Sequence, residues 1–152
     1  MRVYRQVSEF NSHCHPVATV GVFDGVHLGH MEIIRRLSDI ALAKNCESVV
    51  ITFEPHPRLV LPHHAEVKLL QTLDEKLERF ELTGVNAVLV IPFDREFAKL
   101  TPHDFIKNVL VESLHVSHVI TGYDHFFGQN RQGDYGLRSE ERRVGKECRS
   151  RW

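Results

Sequence analysis

Val17-Ala18-Thr19-Val20-Gly21-Val22-Phe23-Asp24-Gly25-Val26-His27-Leu28-Gly29-His30 is the stretch whose reading decides the fold. Val17 to Val20 is a short β-branched run and reads as a buried strand. Gly21 and Gly25 punctuate a tight turn, and Gly29-His30 opens a helical period. Ile33, Ile34, Leu37, Ile40 and Ala41 fall on one face of that helix, with Glu32, Arg35, Arg36 and Asp39 on the other. A strand turning sharply into a helix directs free backbone N–H groups and the positive end of the helix dipole at one spot. Such a spot suits a phosphate. His27 and His30, three residues apart, place both rings over it, and Gly29 leaves the backbone between them bare.

The rest of the chain extends the pattern. Ser48 to Phe53 is a second buried strand, ended by Glu54-Pro55-His56-Pro57-Arg58, where two prolines stop its continuation. Leu59 to Leu70 reads as an irregular connection. Thr72-Leu73-Asp74-Glu75 is a capping box for a helix running to about Leu82, with Gly84 as its stop. Asn86 to Ile91 is a third strand, halted by Pro92. Thr101-Pro102 gives an N-cap and a first-turn proline to a helix with Phe105, Ile106, Val109 and Leu110 on its apolar side. Ser117 to Thr121 is a fourth strand, followed by a loop rich in glycine and aromatic residues to about Gly136. Met1 to Phe10 reads as a short edge strand or arm.

Strand and helix alternate at spacings that suit βαβ crossovers. The expected fold is α/β, a Rossmann-like parallel sheet with helices on both faces. Ligands of such sheets bind beyond the carboxyl ends of the strands. The chemically unusual residues do follow the strands: Asp24, His27 and His30; then Glu54, His56 and Arg58; then Phe93, Asp94 and Arg95; then Tyr123 to Arg131.

Bulk properties narrow the classes. The 152 residues, 42% hydrophobic, make one ordinary domain able to bury a core. No apolar run approaches the ~18 residues of a membrane span. The net charge of −1 gives no long-range pull on nucleic acid, and the basic residues lack interleaved aromatics. Three scattered cysteines fit a reducing cytoplasm. Eleven histidines, among them His13-Cys14-His15 and His63-His64, lack zinc-like spacing, so no protein-bound metal is expected. Neither G-x-G-x-x-G nor a Walker motif is present. Residues 139–152, with five basic and three acidic residues, no hydrophobic period and the chain's one tryptophan, read as a tail foreign to the fold. The expected domain is 1–138.

The stretch from Gly21 to His30 resembles the H-x-G-H signature of the nucleotidylyltransferase superfamily. Its Gly-x-Phe-Asp-Gly opening is similar to the FMN adenylyltransferase module of bacterial bifunctional FAD synthetases (riboflavin kinase/FMN adenylyltransferase). Phe53-Glu54-Pro55-His56-Pro57 resembles the second motif of that family, and Gly122-Tyr123-Asp124-His125-Phe126-Phe127-Gly128 the third. The resemblance implies transfer of AMP from ATP to FMN, giving FAD and pyrophosphate, with ATP and FMN as substrates and Mg²⁺ as helper. It implies that His27, His30 and Asp24 serve the chemistry and that Gly21, Val22, Phe23, Gly25 and Gly29 cradle the nucleotide. Phe53, Pro55, His56, Pro57 and Arg58 would hold the flavin together with Asp124, Phe126, Phe127 and Gly128. Partners would be small molecules only, with neither nucleic acid nor membrane.

Two departures go with the resemblance. Nothing matches the family's Ser-Ser-Thr-x-Ile-Arg motif, and the riboflavin kinase domain expected in cis in full-length relatives is absent. The expectation is a C-terminally truncated adenylyltransferase module. Two other readings stay open: a non-catalytic flavin- or nucleotide-binding fragment, and another H-x-G-H adenylyl- or cytidylyltransferase.

Overall fold

The computed structural model describes residues 1–12, 14–61 and 68–121. Five strands form one wholly parallel sheet: β1 (Arg2–Tyr4), β2 (Val17–Val20), β3 (Ser48–Glu54), β4 (Ala87–Pro92) and β5 (His118–Ile120), in the spatial order β1-β4-β3-β2-β5. The Met1 to Phe10 segment therefore supplies a fifth strand at the sheet edge. From β2 the chain steps outward through β3 to β4, then returns to the other side of β2 as β5. The strand order reverses between β2 and β5. Open α/β sheets bind ligands at that reversal, beyond the carboxyl ends of the strands, and the Gly21–His27 turn leaves β2 there.

Side-chain alternation separates two cores. Val17, Val50, Val88, Val90 and Ile120 face one layer, in which α1 (Leu28–Ala43) contributes Ile34, Leu37 and Ala41, and α3 (Leu73–Glu81) contributes Phe80. Ala18, Val20, Val49, Ile51, Leu89 and Ile91 face the other, covered by Phe105, Ile106, Leu110, Leu114 and Val116. Burial on both faces explains why the central strands read as continuous apolar runs. The polar face of α1 is exposed as its pattern requires, with Arg35 paired to Glu32 and Asp39 at 2.8 and 3.0 Å.

Local signals hold at most boundaries. Asn45, just past α1, has φ +53°, and Gly84, past α3, has φ +75°. The Thr72–Glu75 capping box is formed in both directions, and the Thr101 hydroxyl caps Pro102–Asp104 by accepting from the Asp104 N–H at 3.1 Å.

Two expectations are corrected. The second strand does stop at Glu54, before Pro55, but the connection expected to be irregular from Leu59 begins inside a helical turn, α2 (Pro57–Val60), because a first-turn proline loses no hydrogen bond there. The helix after Pro102 is α-helical only over α4 (Pro102–Asp104) and continues as a π-helix over Phe105–Ser113. The Leu114 N–H donates to the Val109 carbonyl at 3.0 Å, a five-residue step, and the same step sets Leu110 beside Phe105 on the sheet. The third motif, with Asp124, Phe126, Phe127 and Gly128, lies outside the described residues, as do His13, Pro62, His63, His64 and the 139–152 tail.

Candidate active site at the end of β2

Gly21 to His27 carries the chain from β2 into α1. Phe23 and Gly25 both take left-handed backbone, φ +53° and +63°. For phenylalanine this costs about 1–2 kcal/mol, and packing holds it: the Phe23 ring, 5% exposed, meets Phe80 edge-on at 5.4 Å between centroids. At Gly25 the left-handed backbone is what calls for glycine; a Cβ there would also come within 2.7 Å of Cδ1 of the exposed Leu70 side chain, which could move aside.

His27 is the N-cap of α1, with no side-chain cap bond of its own, and His30 lies in the first turn. Their rings stack, with centroids 3.7 Å apart and planes 22° from parallel. Gly29 leaves room for this stack in a way the sequence did not indicate. A Cβ there would lie 3.2 Å from His27 Cε1, tight enough to push the ring by a few tenths of an ångström. Phe23 supports the pair from below, its ring edge-on to His30 at 5.0 Å. His30 Nδ1 is buried and has no well-formed hydrogen bond among the described residues. Burial and the adjacent His27 hold the His30 pKa below its ordinary 6.5, and the Gly25 backbone offsets this only in part. His30 is thus a neutral ring with unused polar capacity beside free helix-start N–H groups.

Asp24 faces sideways: its Oδ1 accepts from the Leu70 N–H at 3.0 Å, so one oxygen is committed to the fold. His56 is buried at the N-cap of α2, and its Nδ1 accepts from the Arg58 N–H at 3.0 Å, which places the neutral ring's proton on Nε2. Burial lowers the His56 pKa, while Asp24 acts to raise it, an interaction that ties the second motif to the first. Pro55 and Arg58 are exposed and Pro57 is half-buried.

Phe53 is not brought to the histidines. It belongs to the other layer and packs against Phe93, Phe97 and Phe105, with centroids 5.7, 5.8 and 6.4 Å away.

Sequence reasoning missed the underside of the turn. Lys76 Nζ donates to the Val22 carbonyl at 2.9 Å and Thr52 Oγ1 to the same oxygen at 3.1 Å. Gln71 Nε2 donates to the Phe23 carbonyl at 2.8 Å and Arg79 to that of Val26 at 3.3 Å. A signal was present: Lys76 lies on the apolar face of α3, among Leu73, Leu77 and Phe80, where a solvated lysine does not belong.

The FAD synthetase family model matches residues 9–150. The chain belongs to the FAD synthetase family. The bifunctional riboflavin kinase/FMN adenylyltransferase of Listeria monocytogenes is 41% identical over 118 residues, which span 77% of this chain and 37% of that protein. The enzyme of the same name from Escherichia coli strain K12 is 39% identical over 121 residues, 80% of this chain and 39% of that one. The chain thus spans about two fifths of the length of these FAD synthetase relatives. A crystal structure of a macrolide-efflux protein from Streptococcus pneumoniae superposes with a TM-score of 0.78 at 22% identity, covering 90% of this chain and 53% of that one. It shares the parallel α/β fold of nucleotidylyltransferase type. Among the described residues no helix is long and apolar enough to cross a membrane, and no three His, Cys, Asp or Glu side chains are grouped to hold a metal ion.

A pH dependence follows from the buried rings. His30, His56 and His118 all have pKa values lowered mainly by burial. Their full contribution to stability is present above the unfolded value of about 6.5 and is lost as pH falls below it, because the unfolded chain takes up protons that the folded chain resists. Chemical unfolding at pH 7.5 and 5.5 should show lower stability at 5.5. Equal or greater stability at 5.5 would mean that these rings are not buried as described.

Proposed function

We propose that this chain is the FMN adenylyltransferase part of an FAD synthetase: it transfers AMP from ATP to FMN. An oxygen of the FMN phosphate attacks the α-phosphorus of ATP, and the bond to the β-phosphate oxygen breaks. FAD forms, and pyrophosphate leaves with the bonding electron pair. The observation that carries the reading is the stacked His27–His30 pair at the start of α1, beside the glycine turn and at the reversal of strand order.

The protein's part is alignment and charge. Two phosphates repel each other, and the departing pyrophosphate gains negative charge, so fixed N–H groups and imidazoles aimed at that charge lower the barrier. The N–H groups of the turn and of the first turn of α1 bind the phosphates. His30, neutral in the free protein, takes up a proton as the anion binds and then donates to it. Mg²⁺ arrives with ATP, since magnesium is commonly held by one or two carboxylates plus substrate phosphates. Asp24 fits that demand through Oδ2, because only Oδ1 is engaged with Leu70. Pro55 to Arg58, with His56 at their centre, wall the flavin side, and the family resemblance gives Asp124, Phe126, Phe127 and Gly128 a flavin-binding role as well. Phe53 contributes to that wall through the aromatic cluster rather than as a free stacking face.

The test is chromatography of the chain incubated with FMN and Mg-ATP. FAD and pyrophosphate in equal amounts support the proposal. Binding of FMN and ATP without FAD would instead favour a binding fragment, and adenylylation of another phosphate acceptor but not FMN would favour a different transferase.

A further inference from the structure

We infer that Lys76 is a positioning residue for this reaction: from α3 it holds the Val22 carbonyl so that the next backbone N–H, that of Phe23, faces the phosphates of ATP. The inference rests on the proposed ATP reading and deepens it. In a trans peptide the C=O and the following N–H point in opposite directions. A carbonyl fixed toward α3 therefore fixes an N–H away from it.

The Val22 carbonyl receives Lys76 Nζ and Thr52 Oγ1 together, which fills both of its acceptor positions. The same logic applies twice more. Gln71 on the Phe23 carbonyl orients the Asp24 N–H, and Arg79 on the Val26 carbonyl orients the His27 N–H. No hydrogen bond among the described residues uses the Phe23, Asp24 or His27 N–H, so these three donors remain for a ligand, whereas the Gly21 N–H donates to the Ile51 carbonyl at 3.0 Å. Three peptide planes are set from the α3 side, and Lys76 is the most deeply buried of the charged groups that set them, at 4% exposed.

A merely structural account of Lys76 is weak. A buried ammonium carries a desolvation cost, and an apolar side chain at such a place is often neutral or stabilising by comparison. Burial does act to lower the Lys76 pKa, with Glu54 and Asp24 opposing it. Leucine or methionine would fill the face shared with Leu73, Leu77 and Phe80, yet could not grip a carbonyl. Held beneath the turn, the ammonium also places positive charge on the side opposite the anion.

The test uses Lys76→Met, Thr52→Val and the double variant, with equilibrium titration of Mg-ATP and of FMN, steady-state FAD formation, and thermal unfolding without ligand. Lys76→Met should weaken Mg-ATP binding and raise KM for ATP by about tenfold or more, with kcat changed far less and FMN affinity kept. Thr52→Val should act in the same direction more weakly. The double variant should fall short of the summed effects, because both donors act on one carbonyl. A folded Lys76→Met protein with unchanged ATP affinity, or with ATP and FMN affinity lost alike, overturns the inference. If Lys76→Met does not fold, Thr52→Val decides: unchanged ATP affinity in that variant overturns it. Failure of the unmutated chain to bind Mg-ATP would instead remove the ATP reading itself.

Discussion

Replacing His30 by alanine should lower the rate of FAD formation by about 10²–10³-fold, the usual loss when one preorganised donor to a developing charge is removed, while FMN affinity stays unchanged. The reason is geometric. His30 is held between His27, stacked at 3.7 Å, and the edge of Phe23 at 5.0 Å, and its buried Nδ1 makes no well-formed hydrogen bond among the described residues. On the proposed reading its substitution removes a donor to the phosphates and leaves the sheet untouched. Steady-state kinetics with a parallel FMN titration checks this. Equal loss of turnover and FMN binding would indicate a collapsed fold and contradict the assigned role.

Phe80→Ala should produce the largest loss of stability, about 3–5 kcal/mol, as expected for removing a fully buried aromatic side chain. Phe80 is 0% exposed and supports Phe23, whose ring in turn supports His30. The cavity would open directly beneath the turn, so ATP affinity should fall along with stability. Leu82→Ala is the contrast: Leu82 is 86% exposed, and its loss should change stability by no more than about 0.5 kcal/mol. Urea unfolding of both variants measures the difference. Similar values for the two would mean that the layer between α3 and the sheet is not packed as described.

The elements visible in the sequence are those with local causes. Val17 to Val20, Val49 to Ile51 and Ala87 to Ile91 are buried on both faces, which makes them almost wholly apolar runs in the sequence itself, Thr19 excepted. Thr72 and Glu75 form their capping box within three residues, and Pro102 marks its helix start for equally local reasons. The histidine pair was visible because a helix start fixes the relation between His27 and His30 whatever the rest of the chain does.

What was not legible depends on distant partners. The spacing of Phe105, Ile106 and Leu110 fits both α and π winding, and only the sheet beneath chooses between them. Phe53 follows a strand into the site region, but strand parity assigns its ring to the opposite layer. The order β1-β4-β3-β2-β5 has no local signature at all. Lys76 and Gln71 were passed over because lysine and glutamine are usually solvated, and their carbonyl partners lie 54 and 48 positions away.

The most direct measurement is nuclear magnetic resonance of the histidine ring nitrogens during titration with Mg-ATP near neutral pH. Signals of His27 and His30 should both move on binding, and His30 should change from a neutral to a protonated ring, since a bound anion reverses the balance that keeps its pKa low. His118, at the opposite end of the sheet, should not respond. ATP that binds while the His27 and His30 signals stay in place would contradict the account, because the triphosphate would then occupy some other part of the molecule.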